Sequence, residues 1–290
     1  MSPPTMLSPG RIASLACLLE VAAPKPGNVH RGADFEDVGL VDFMVSAELL
    51  GATIDQKSNE SLGEMILNVV EATRKHVGSN TNLGLALLLC PLGRSAQSFN
   101  RMDAEALSQV LLELTADDSR SVYAAIRLAQ SGGMPTVERM DIQQEAPVHL
   151  IDAMTYASEW DMVARQYRDS FQNIFSDVVP LLKEGLKKFD GSSEAIVFAH
   201  VALLSRFPDS LIARKCGDPT ALQAQAMAGR CLEALKFGIE GYWKAVGDLD
   251  FWMRADGHRR NPGTTADLIA AGLMVMLFDG ELAFTRGRLQ

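Results

Sequence analysis

The stretch "APKPGNVHRG", residues 23–32, sets Lys25, Asn28, His30 and Arg31 between two prolines and two glycines. Pro24 stops a preceding helix, Pro26 stiffens the exit, and Gly27 and Gly32 supply turn geometry that a Cβ would resist. The prolines and glycines explain the backbone but leave four polar side chains on a stiff, partly cationic loop. Three other stretches join short polar loops to apolar helices. In "GSNTNLGLALLL" (78–89), Thr81 or Asn82 can cap the helix that follows, and the free N–H groups of such a terminus can attract phosphate. In "NPGTTADLIAAGLMVML" (261–277), Thr264 with Asp267 reads as a capping box with Asp in place of Glu. The alternative there is phosphate on the helix N-terminus, and a carboxylate beside phosphate then implies Mg²⁺ between them. In "FPDSLIARKCGDP" (207–219), Arg214 and Lys215 are either a phosphate clamp or a self-paired surface segment. Glu20 faces the negative end of its helix at a cost of some tenths of a kcal/mol, which Lys25 or a metal would offset.

Helical spacing dominates the chain that must position these residues. Ser8–Pro9 is a fair helix start, and Ile12, Leu15, Ala16, Leu19 and Ala22 then share one face. Further helices are expected over 38–54, 62–77, 83–89, 104–114, 119–129, 149–160, 162–175, 178–189, 193–207, 219–237, 239–251 and 264–278, and strand alternation is almost absent. The expectation is an all-α protein, a single compact multi-helix domain over residues 1–290. Its loops at 24–37, 78–82, 208–218 and 256–263 should meet at one pocket.

Composition narrows the function classes. The chain has 290 residues, 47% of them hydrophobic, enough for a sizeable core. Its 27 Lys and Arg against 36 Asp and Glu, with no basic run, make nucleic acid an unlikely partner. The four cysteines form no CxxC pair, the five histidines are scattered, and no Walker loop, GxGxxG after a strand, HExxH or GxSxG occurs. "DDSRS" (117–121) sits where a helix cap is expected. The N-terminus lacks a signal-peptide pattern and the longest apolar stretch is shorter than the roughly 20 residues of a membrane span, so a cytoplasmic protein without membrane contact is expected.

Taken in order, "LEVAAPKPGNVHRGADFEDV", "GSNTNLGLALLLCPL", "AAIRLAQSGGMP", "WDMVARQY", "DSLIARKCG" and "NPGTTADLIAAGL" resemble the triphosphoribosyl-dephospho-CoA synthase family across nearly the whole chain. The resemblance implies a transferase that joins the 2′-hydroxyl of dephospho-CoA, or of a related cofactor precursor, to the ribose C1 of ATP. Adenine is expelled and the triphosphate kept. On that reading Glu20 and Asp34 are the candidate carboxylates facing charge at C1, with His30 in the same catalytic loop. Lys25, Gly27, Asn28, Asn80, Thr81, Asn82, Arg214, Lys215, Thr264 and Thr265 would hold ATP, and Asp209 and Asp267 would ligate Mg²⁺. The citrate-lyase and malonate-decarboxylase members of that family have Asp where this sequence has His30 and a His-Lys type pair where it has Asn82 and Leu83. The chain thus looks closer to an archaeal and environmental-bacterial branch, whose acceptor could instead belong to pterin-type one-carbon cofactor synthesis. An ADP-ribosyl glycohydrolase-like hydrolase and a non-catalytic nucleotide-binding protein are the rival readings. Sequence alone does not give the oligomeric state.

Overall fold

The computed structural model describes residues 7–78, 82–129 and 137–282. Ser8 accepts a hydrogen bond from the Arg11 amide and Pro9 occupies the first turn, so α1 (Pro9–Ala22) begins as its sequence says. It crosses α2 (Leu40–Gln56) where Gly10 and Gly51 face each other. A Cβ on Gly51 would collide with Ser14 Oγ and the Gly10 carbonyl, so only glycine lets the two backbones approach this closely. α3 (Leu62–Val77) starts on a Ser61–Glu64 capping box and ends on left-handed Gly78.

α4 (Leu83–Phe99) outruns its expected end at residue 89 by passing through Pro91. Proline at 91 cannot donate to the Leu87 carbonyl. The buried Tyr167 hydroxyl donates to that carbonyl instead, at 2.8 Å, so the helix continues without an orphaned acceptor. α5 (Ala104–Leu112) and α6 (Ala116–Leu128) follow. Asp118, the second aspartate of "DDSRS", closes the Thr115 capping box of α6 and accepts the Gly63 amide of α3, while Asp117 pairs with Arg120.

In the second half, α7 (Leu150–Ala157) and α8 (Met162–Arg168) lead through positive-φ Ser170 and Phe171 into a π-turn (Ile174–Val178) and α9 (Val179–Lys188). The single helix expected over 162–175 is therefore broken. α10 (Ser192–Arg206) is nearly all buried, and α11 (Ser210–Cys216) turns away from it by 61° after Pro208. α12 (Asp218–Leu235) and α13 (Ile239–Arg254) pair, and a short extended segment, β1 (Ala255–His258), leads to α14 (Gly263–Phe278). Apolar on every side, α14 is the central helix, packed against α1, α4, α9 and α10. One hydrophobic core runs from Ile12 to Met276 and joins both halves of the chain, as an all-α domain requires. Among the described residues no single helix is long and apolar enough to cross a membrane.

Candidate active site

The C-terminus of α1, the loop behind it, the N-termini of α4 and α14 and the short helix α11 meet around a cleft of about 450 Å³. All four expected loops contribute: Asn28 and Asp37 from the first, Asn82 from the second, Arg214 and Lys215 from α11 in the third, and His258 and Asn261 from the fourth. Glu20, Thr264 and Asp267 complete the polar wall, while Phe35, Phe43, Met154 and Trp160 form an apolar one.

Glu20 is 7% exposed and opens onto the cleft. Burial raises its pKa, and Lys25, whose Nζ lies 2.9 Å from Oε1, opposes the rise. Lys25 itself has no exposed surface, and its Nζ also donates to the carbonyls of Glu20 and Ala23. With three N–H donors and three acceptors in place, Lys25 has none left for phosphate. In place of the nucleotide contact expected of it, the lysine holds the Glu20 carboxylate.

Other expected site residues are also used by the scaffold. Gly27 (φ 75°) donates its amide to Asp250 at 2.7 Å, and a Cβ there would strike Met253. His30 pairs with Ala33 and accepts the Gly32 amide within its own loop, and burial, then Arg254, lower its pKa. Asp34 is exposed and accepts the Leu40 amide at the start of α2, and it is not among the residues that line the cleft. Asp209 has no exposed surface and four hydrogen bonds. Its Oδ1 caps α11 through the Leu211 and Ile212 amides, and its Oδ2 takes the amide and hydroxyl of Thr265. One carboxylate thus caps two helices and has no free direction for a metal. Thr265 is consumed by the same contact. Thr264 lies inside the first turn of α14, so the expected capping box with Asp267 does not form; its Oγ1 accepts from Ser210 at 3.1 Å. Asn80 and Thr81 lie outside the described residues.

The remaining expected residues do line the cleft. Asn82 heads α4, but its side chain is turned back, Nδ2 donating to Thr73 Oγ1 at 2.6 Å. The Lys215 Nζ reaches Asn261 Oδ1 at 3.1 Å, and burial, then Arg214, lower its pKa. Arg214 keeps its Nε buried without a partner, and its Nη1 is 3.6 Å from Asp161 Oδ2. Asp161 was not singled out by the sequence. It caps α8 through Oδ1 and aims Oδ2 at Arg214, and the only signal was its place in "WDMVARQY". The apolar wall was missed too, because Phe35, Phe43 and Trp160 come from three separate segments.

Asp267 presses against the first turn of α4, where a Cβ on Gly84 would collide with Oδ2. Burial pushes its pKa well up, and Glu20, Asp209 and Asp161 push it further; Arg214 opposes them. A carboxyl whose folded pKa exceeds its unfolded value binds more protons in the folded state, so the stability it contributes falls as pH rises above the ordinary carboxylate range. Asp267→Asn is therefore expected to raise the melting temperature at pH 7–8 by about 2 °C or more, and to raise it less near pH 4. Thermal melts of both chains across pH check this, and an equal shift at every pH would contradict it.

An all-helical chain that brings a lysine-paired carboxylate, a second carboxyl and an arginine–lysine pair into one cleft has the equipment of a group-transfer enzyme acting on a nucleotide. The model of the family described as ATP:dephospho-CoA triphosphoribosyl transferase matches residues 6–285, and the chain belongs to that family. It is an all-α transferase, and the family's reaction moves the triphosphoribosyl group of ATP. A crystal structure from Archaeoglobus fulgidus, provisionally described as a triphosphoribosyl-dephospho-CoA synthase, is similar at 26% identity. That match has a TM-score of 0.62 and covers 81% of this chain and 98% of the other. No match was found among curated proteins.

Proposed function

We propose that this cleft transfers the 5-triphosphoribosyl group of ATP to the 2′-hydroxyl of dephospho-CoA, with Glu20 as the carboxylate at the reacting carbon. The C1–N9 bond of ATP breaks, a C1–O bond to the acceptor forms, the acceptor hydroxyl gives up its proton, and the departing adenine takes one up. Positive charge develops at C1, and a fixed carboxylate in a partly water-excluded wall opposes it without reorganising. The observation that carries this reading is the Glu20–Lys25 pair: a fully buried lysine, its other donors taken by two backbone carbonyls, faces that one carboxylate and opposes the rise in its pKa that burial causes.

The arrangement of the other groups supports the orientation. Arg214, with its unpartnered Nε, and Lys215 stand on the α11 side and would take the triphosphate. Phe35, Phe43 and Trp160 offer a wall on which a purine can lie. Mg²⁺ fits the chemistry of the donor set. Asp267 sits among carboxylates with Arg214 opposing them, and no described cluster supplies three protein donors, so Mg²⁺ would be held by Asp267 and phosphate oxygens. When bound it neutralises phosphate charge. Substrates of this kind agree with a cytoplasmic site of action.

The acceptor is tested by incubating the protein with ATP, Mg²⁺ and dephospho-CoA and weighing the products. A dephospho-CoA product heavier by one triphosphoribosyl unit is expected. Adenine and free ribose triphosphate with unchanged dephospho-CoA would instead favour a hydrolase.

A further inference from the structure

Asn28 is the best-prepared polar group in the cleft that the proposed reaction does not yet use. It is 8% exposed, lines the cleft, and its Oδ1 is buried without a hydrogen-bond partner. A buried orphan acceptor is uncommon and costs about 1–3 kcal/mol, so its persistence calls for an explanation. The backbone that carries it is pinned on both sides. Gly27 donates its amide to Asp250, the Asn28 amide reaches the Lys25 carbonyl at 3.3 Å, and Arg254 donates to the Asn28 carbonyl. The backbone that carries this side chain is thereby held at the cleft wall.

We infer that Asn28 reads a ribose hydroxyl of the nucleotide and so sets specificity for a ribonucleotide over its deoxy counterparts. This rests on the transferase reading given above. A carbonyl oxygen needs a donor. Phosphates offer only acceptors, and a purine offers mostly acceptors. Ribose hydroxyls are the donors nearest C1. Asn28 is joined by a single tight turn to Lys25, which holds Glu20, the carboxylate placed at C1. The oxygen that lacks a partner is thus tethered to the part of the site where those hydroxyls must lie.

The test compares ATP, 2′-deoxy-ATP and 3′-deoxy-ATP, by kcat/KM for adenine release and by calorimetric binding without acceptor. The unaltered chain should disfavour at least one deoxy analogue about tenfold or more, because the buried acceptor is then left unpaired. In Asn28→Ala, ATP should fall to the level of that analogue, while the analogue itself changes less than about twofold. A merely structural role would lower all three nucleotides together and leave the ratio intact, which would overturn the assignment. So would equal handling of all three by the unaltered chain, a result that needs no variant to fold. Binding that discriminates without any adenine release would contradict the transferase reading while upholding the role of Asn28. Release with an unchanged ratio would contradict Asn28 alone.

Discussion

Glu20→Gln is expected to lower turnover by about 10²–10⁴-fold while ATP binding changes little, since the amide keeps the shape of the carboxylate but loses the charge that opposes the cationic carbon. The folded state should survive. The substituted amide still offers Lys25 an oxygen, and the lysine keeps the backbone carbonyls of residue 20 and Ala23. Single-turnover kinetics with a parallel nucleotide titration separate the two effects. A variant that binds ATP weakly but turns over bound ATP at the original rate would show that Glu20 serves binding, and the carboxylate at C1 would have to be sought elsewhere in the cleft.

Lys25→Met should produce the largest loss of stability among the site residues. It strands Glu20 in a wall where only 7% of its surface is exposed, and removing one partner of a buried pair costs about 3–5 kcal/mol. For a chain of this size that corresponds to a fall in melting temperature of roughly 10 °C. Activity should fall as well, because Glu20 without its lysine protonates more readily. The double variant Lys25→Met with Glu20→Gln removes both charges and should regain much of the stability but none of the activity. If the single lysine variant melts like the parent, the buried pair does not carry the weight assigned to it. Recovery of activity in the double variant would remove Glu20 from the mechanism.

How far the sequence disclosed this site depended on the range of the interactions involved. Features closed within a few residues were legible: the Ser8–Pro9 helix start, the Asp118 cap, and the polar loops that lead into α4, α11 and α14. The convergence of those loops could be expected because their compositions suit one ligand. What was hidden depends on contacts between distant segments. Lys25 reads as a phosphate grip from its loop, and only the turn that folds it back on α1 shows all its donors consumed. Asp209 reads as a metal ligand until Thr265, 56 residues away, occupies its second oxygen. The continuation of α4 beyond residue 89 was hidden because the tyrosine that takes the Leu87 carbonyl left unpaired by Pro91 lies 80 residues beyond that carbonyl. Asp161, Trp160 and Phe35 fall within quoted stretches, but nothing in those stretches, or around Phe43, marks them as residues of the cleft.

The central claim is that the bond broken lies between the ribose and the base. Its most direct test is chromatography of the nucleotide products formed from ATP, Mg²⁺ and dephospho-CoA, with the phosphate content of each followed in the same run. Free adenine appearing in equal amount with modified acceptor, and a triphosphate still intact on the transferred ribose, is the result expected. ADP, AMP or pyrophosphate formed in step with acceptor modification would place the cleavage in the phosphate chain and contradict the account.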